Sequence, residues 1–144
     1  MKVFLQRYGL LIAWAGLLFV LSSIPDLQFP VEVFSWDDKI QHVLAYTPLG
    51  WLFLRAIVWK KPFTRRALWL AILAGALYGA TDELHQYFVP GRAADWTDWL
   101  ADTIGVASGA WLFYRWRGRF TPSHQIKPQE KSKNRGKKCA QKLL

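Results

Sequence analysis

The chain has 144 residues, 52% apolar and 20% charged, a formal charge of +9 and one cysteine. A lone cysteine, Cys139, excludes a disulfide framework and a cysteine-built metal centre. The charge is uneven: ten Lys/Arg and one Glu lie from Arg115 onward, whereas nine basic and nine acidic residues balance before it. The whole excess therefore belongs to the tail, beside an apolar segment where anionic lipid headgroups attract it, which argues against nucleic acid as the partner.

A mean hydropathy of +0.05 hides four apolar stretches, Tyr8 to Ile24, Val43 to Trp59, Ala67 to Tyr87 and Trp96 to Trp116. Each approaches the ~20 residues that cross a ~30 Å hydrocarbon core. The first follows Lys2 and Arg7 and is expected to stay as an uncleaved helix, because its apolar run is long for a signal sequence and no A-x-A-like site follows. Ser22 to Phe34, with Pro25 and Pro30, reads as an extended external loop. The second stretch is preceded by Asp38, Lys39 and His42. Between the third and fourth, Phe88 to Ala94 contains Pro90-Gly91 and predicts a tight turn joining antiparallel neighbours. Trp36, Trp59, Trp96 and Trp116 lie near span ends, where amphipathic rings favour the headgroup boundary. The domain expected to fold is 1–117; the basic segment 118–144 has almost no apolar residues and reads as disordered, its deletion from Lys127 expected to leave folding intact.

Orientation follows from the basic residues. Lys2 and Arg7, then Arg55, Lys60, Lys61, Arg65 and Arg66, then the tail all fall on one side, the cytoplasm by the positive-inside rule. Asp26, Glu32, Asp37, Asp38, Asp82, Glu83, Asp95, Asp98 and Asp102 fall on the other. The fold class expected is thus an all-α membrane bundle of about four spans with both termini cytoplasmic.

On a helix, Gly75, Gly79, Asp82, Glu83 and Gln86 share a face about 100° wide, and Asp95, Asp98, Asp102, Gly105 and Gly109 share one of about 80°. Gly75-x-x-x-Gly79 and Gly105-x-x-x-Gly109 permit close backbone approach, so the carboxylates of spans three and four are expected to face each other, with Glu83 and Asp98 in reach directly or through water. Asp38, His42 and Tyr46 recur at i, i+4 and i+8 on span two at the same level. Ionisable groups in a span cost near 2.5 to 3.5 kcal/mol at its centre, roughly less near the boundary, and seldom face lipid. Asp82 and Asp95 read as solvated helix ends, with Asp95 a candidate N-cap, and His85 as interfacial rather than a ligand.

Three chemistries remain open for the cluster. His42 beside Asp38 and facing Glu83 suits acid/base work; Asp98, Asp102 and Glu83 offer hard oxygens to a divalent metal, although no recognised metal spacing is present; structural glue is the third. The site expected is Glu83, Asp98, His42 and Asp102 as proton-transfer groups, with Arg92, Gln86, Lys39, Asp38 and Tyr46 contacting substrate and no metal or other cofactor.

Asp38-Lys39-x-x-His42-x-x-x-Tyr46, Tyr78-Gly79-x-x-x-Glu83-x-x-Gln86, Pro90-Gly91-Arg92 and Asp98-x-x-x-Asp102-x-x-Gly105-x-x-x-Gly109 resemble the VanZ-like family from about Asp37 to Gly109. The resemblance implies an integral membrane protein of the bacterial cytoplasmic (inner) membrane and cell envelope, in a family whose namesake is associated with reduced susceptibility to the glycopeptide antibiotic teicoplanin. It implies no particular reaction. Many members carry Asn where this chain has Asp102. The function expected is binding or modification of an exported amphiphile, a lipid-linked wall precursor or glycopeptide, in an outward-facing polar pocket, with membrane lipid as the other partner. The alternatives are a non-catalytic membrane scaffold or assembly factor and, third, a proton or ion pathway.

Overall fold

The computed structural model describes residues 1–25 and 37–120, with side chains for 1–25 and 38–117. Four helices follow one another: α1 (Lys2–Ser22), α2 (Asp37–Ile57), α3 (Arg65–Gln86) and α4 (Trp96–Phe120). Most of the expected loop from Ser22 to Phe34, with Asp26, Glu32 and Trp36, lies outside the described residues. So does the tail from 121, including Cys139. Ser22 is not loop but the last residue of α1, 5% exposed. Its hydroxyl donates to Phe19 O of its own last turn and to a carboxylate on α3, so helix end and tertiary contact reinforce each other.

At 21 to 25 residues the helices are about 31 to 38 Å long. Two of them, α1 and α3, are long and apolar enough to cross a membrane. Asp38, Lys39 and Arg55 interrupt the apolar run of α2, and Asp98, Asp102 and Arg115 that of α4. Leu10, Ile12, Val20, Leu70, Leu73 and Leu77 each leave more than half their surface exposed, an apolar exterior that suits lipid better than water.

The most extensive interface is α2 against α4, followed by α3 against α4; among the described residues α1 packs on α2 and α3 and not on α4. Glycines explain this order. Gly75 and Gly79 do face α4, as the spacing predicts, meeting Val106 and Asp102. Gly105 and Gly109, however, face α2 rather than α3: a Cβ on Gly105 would lie 2.5 Å from Val43 O, and one on Gly109 would overlap Thr47 O. Gly50 of α2 lies equally tight on the Val106 backbone. Small residues thus let α4 approach two helices at once. Below them Leu54, Val58, Ala67, Ala71, Ala110 and Phe113 form an apolar core, with Trp51 set edge-on to Phe113 at 5.2 Å.

The connections are locally encoded. Thr64 Oγ1 accepts the Ala67 N–H at 3.1 Å and caps α3. Thr64→Ala should therefore lower stability by about 1 kcal/mol, read as a lower melting temperature in detergent. Arg117 on α4 donates to Val58 O at 3.2 Å and Lys61 O at 3.0 Å, tying the α2–α3 connection to α4. Between α3 and α4 the Arg92 N–H donates to Val89 O at 3.1 Å. Pro90 and Gly91 occupy the middle of that turn, with Gly91 at φ 76, the left-handed position that favours glycine after proline.

Candidate functional site

At the end of the bundle where α1 and α3 finish and α2 and α4 begin, the same rule operates on three helices: glycines or small residues deeper in, polar residues above. The polar residues are buried, with Asp82 5%, Glu83 7%, Gln86 4%, Asp98 7% and Asp102 0% exposed. The four carboxylates are turned into the bundle and away from its outer surface.

Asp82 is the centre of one network. It accepts from Ser22 Oγ at 2.7 Å and Tyr46 OH at 2.9 Å, with Gln86 Nε2 at 3.4 Å, so a single carboxylate joins α1, α2 and α3. The sequence reading as a solvated helix end is corrected: the face shared with Glu83 and Gln86 turns inward. Tyr46→Phe removes one donor to a buried charge and should cost about 1.5 to 3 kcal/mol, measurable as a fall in melting temperature with membrane insertion retained.

A second network surrounds Lys39. Its ammonium contacts Asp98 Oδ1 most closely, Asp95 Oδ2 at 3.2 Å and Asp38 Oδ2 at 3.4 Å. Lys39, expected to contact substrate, is thus committed to carboxylates at the start of α4. Asp95 also caps α4, as expected from its position, through the Thr97 N–H at 2.9 Å. That bond, with Lys39, holds its carboxyl below the usual carboxylate range.

The third network joins His42 Nδ1 to Asp102 Oδ1 at 2.8 Å, with His42 Nε2 3.9 Å from Asp38 Oδ1. Glu83 Oε2 accepts the Asp95 N–H at 3.0 Å. Glu83 and Asp98, expected within reach of each other, take different principal partners. Glu83 groups with His42 and Asp102, and Asp98 groups with His42 and Asp38.

A family model described as VanZ/LLP1 matches residues 7–117, which is 111 of the 144 residues. The chain belongs to the VanZ/LLP1 family. No curated protein and no solved structure matches it. The matched VanZ/LLP1 segment starts at Arg7 and so takes in most of α1, which the short motifs alone did not reach. It contains every residue of the three networks.

Beside the networks of this VanZ/LLP1 chain lies a cavity of about 480 Å³. Leu18, Leu21, Leu44 and Ala45 line it with apolar groups, while Asp38, Gln41, His42, Asp82, Gln86 and Arg92 supply polar groups. Arg92, expected to contact substrate, donates to Leu21 O at 3.2 Å and Ile24 O at 3.4 Å, where its charge complements the C-terminal end of α1. His85 packs on α1 as an interfacial residue, its Nε2 2.9 Å from Ser23 Oγ and its ring 4.5 Å from that of Phe19. Of the expected site residues, His42, Asp38, Tyr46, Gln86 and Arg92 line the cavity, whereas Glu83, Asp98, Asp102 and Lys39 are not part of its lining. Asp82 and Ser22 were missed by the sequence reading; the shared face of Asp82 with Glu83 and Gln86 was the available signal for the first, and no local signal marks the second.

Proposed function

We propose that this VanZ/LLP1 protein is a multi-pass protein of the bacterial inner membrane that binds an exported amphiphile at the outer leaflet, seating its polar head in the cavity. The cavity carries the reading: its lining combines apolar and polar side chains, which fits a ligand with an acyl or polyprenyl part and a hydrogen-bonding head. Its lining is rich in acceptors, Asp38 and Asp82 among them. Hydroxyl and ammonium donors of a sugar or peptide head therefore suit it better than a bare phosphate. A lipid-linked wall precursor or a glycopeptide has this chemistry. The proposed topology has four spans with both termini cytoplasmic. The basic residues near Lys2, at 55–66 and after Arg115 support it by the positive-inside rule. A reporter fused after residue 117 should then read cytoplasmic and one inserted between Phe88 and Ala94 external; a cytoplasmic signal from the Pro90 turn would overturn the topology.

Binding is tested by native mass spectrometry of the purified protein with a mixture of lipid-linked precursor and phospholipid. The wild type should select the precursor. Ala45→Phe, which enlarges a side chain lining the cavity, should lose that selectivity by tenfold or more (about 1.4 kcal/mol) while keeping its melting temperature. Equal retention of both lipids by the wild type would contradict the reading. A second reading, a non-catalytic scaffold, is favoured by Asp82, whose bonds to three helices lock packing whatever the cavity holds.

A further inference from the structure

His42, Glu83 and Asp102 come from three different helices, yet each offers a ligand atom within 4.8 Å of the others. A trio of acidic and imidazole groups is not in itself a metal site. What distinguishes this one is two carboxylate oxygens, Glu83 Oε1 and Asp102 Oδ2, that are buried with no hydrogen-bond partner among the described residues. Their side chains are 7% and 0% exposed. An unpartnered buried oxygen on a carboxylate is costly, and two such oxygens on residues of one trio ask for a shared cation.

Nearby positive charge does not meet the demand. The Lys39 ammonium is committed to Asp98, Asp95 and Asp38. The other oxygens of the pair are engaged, Glu83 Oε2 by the Asp95 amide and Asp102 Oδ1 by His42, which fixes the direction in which the free ones point. Room is left on the α3 side by Gly79, where a Cβ would stand 3.2 Å from Asp102 Oδ2, and Glu83 follows one turn later. Asp38 lies 3.9 Å from His42 Nε2, on the far side of the ring from Asp102. A carboxylate behind a ligating imidazole orients the ring and raises its basicity.

We propose that His42, Glu83 and Asp102 bind one divalent transition-metal cation, Zn²⁺ or Mn²⁺. The donor set decides the class: one imidazole with two carboxylates suits these ions, whereas Ca²⁺ prefers six to eight oxygens. The cation replaces the proton shared between His42 and Asp102, so binding releases a proton. Because His42 also lines the cavity, the ion stands next to the ligand chamber, but the site holds whether or not an amphiphile binds there.

The full chain, purified in detergent, stripped with EDTA and dialysed, is titrated with ZnCl₂ and MnCl₂ by calorimetry in buffers of different ionisation enthalpy. One ion per chain is expected, with proton release and a melting temperature raised by about 5 °C or more. Glu83→Gln and Asp102→Asn should each weaken binding roughly 100-fold. A triple variant, His85→Gln, His124→Gln and Cys139→Ser, removes the remaining imidazoles and the thiol and should bind as the wild type does. Pulsed EPR of the Mn²⁺-loaded wild type and triple variant should show coupling to one imidazole nitrogen, a readout independent of whether the isosteric variants fold. Absence of stoichiometric binding in the wild type, unchanged affinity in both isosteric variants, loss of binding in the triple variant, or a Mn²⁺ signal without nitrogen coupling would each overturn the site.

Discussion

Gly109→Leu should abolish a monodisperse, folded protein, whereas Gly16→Leu should leave it intact. Both glycines sit inside helices, so helix propensity alone predicts that both replacements are neutral or stabilising by up to about 1 kcal/mol. Their surroundings differ completely. A Cβ at Gly109 would overlap Thr47 O and lie 2.9 Å from Trp51 N, and these are backbone atoms that cannot rotate away; at Gly16 nothing lies within 4 Å. Overpacking in a tight core typically costs about 1 to 3 kcal/mol and more where the obstacle is rigid. Here it must separate α2 from α4, the largest interface of the bundle. Gly50→Leu should behave like Gly109→Leu, since it presses on the Val106 backbone. Size-exclusion profiles and melting temperatures of the four proteins check this. Equal behaviour of Gly16→Leu and Gly109→Leu would show that α2 and α4 do not pack as described.

The second large effect is expected at Asp82. Asp82→Ala leaves the hydroxyl of Tyr46, a residue only 2% exposed, without its acceptor, and reduces the Ser22 hydroxyl to its bond with Phe19 O. The unsatisfied Tyr46 hydroxyl costs about 1 to 3 kcal/mol, and the lost Ser22 bond adds about 0.5 to 1.5 kcal/mol. The second part falls on the attachment of α1, which Ser22 pins to α3 at the cavity wall. Asp82→Asn keeps one acceptor oxygen and should recover about half of the loss. Protease accessibility near residue 22 and melting temperature separate the three proteins. If Asp82→Ala melts as the wild type does, Asp82 is not the joint between α1, α2 and α3.

Helix-face arithmetic made much of this legible. It grouped Gly75, Gly79, Asp82, Glu83 and Gln86 and placed Asp38, His42 and Tyr46 at their level, and the Pro90-Gly91 turn was readable from residue type alone. What a face cannot reveal is which neighbour it meets. Gly105 and Gly109 therefore turned out to contact α2, and Gly50, which continues the Asp38, His42, Tyr46 spacing by four more residues, was overlooked. The charges show the same limit. Lys39 and Arg92 stand beside the cavity level, but their tertiary partners, the α4 carboxylates and the α1 carbonyls, are 50 or more residues away in sequence and leave no local pattern.

The most direct test of amphiphile binding is photo-crosslinking in living cells from a benzophenone side chain introduced at Gln41, which lines the cavity. The captured adduct is analysed by mass spectrometry, with the same probe at Leu73, exposed on the outside of the bundle, as reference. A lipid carrying a sugar or peptide head, enriched at least tenfold at Gln41 over Leu73, is the result predicted. Bulk phospholipid in equal yield at both positions would contradict it.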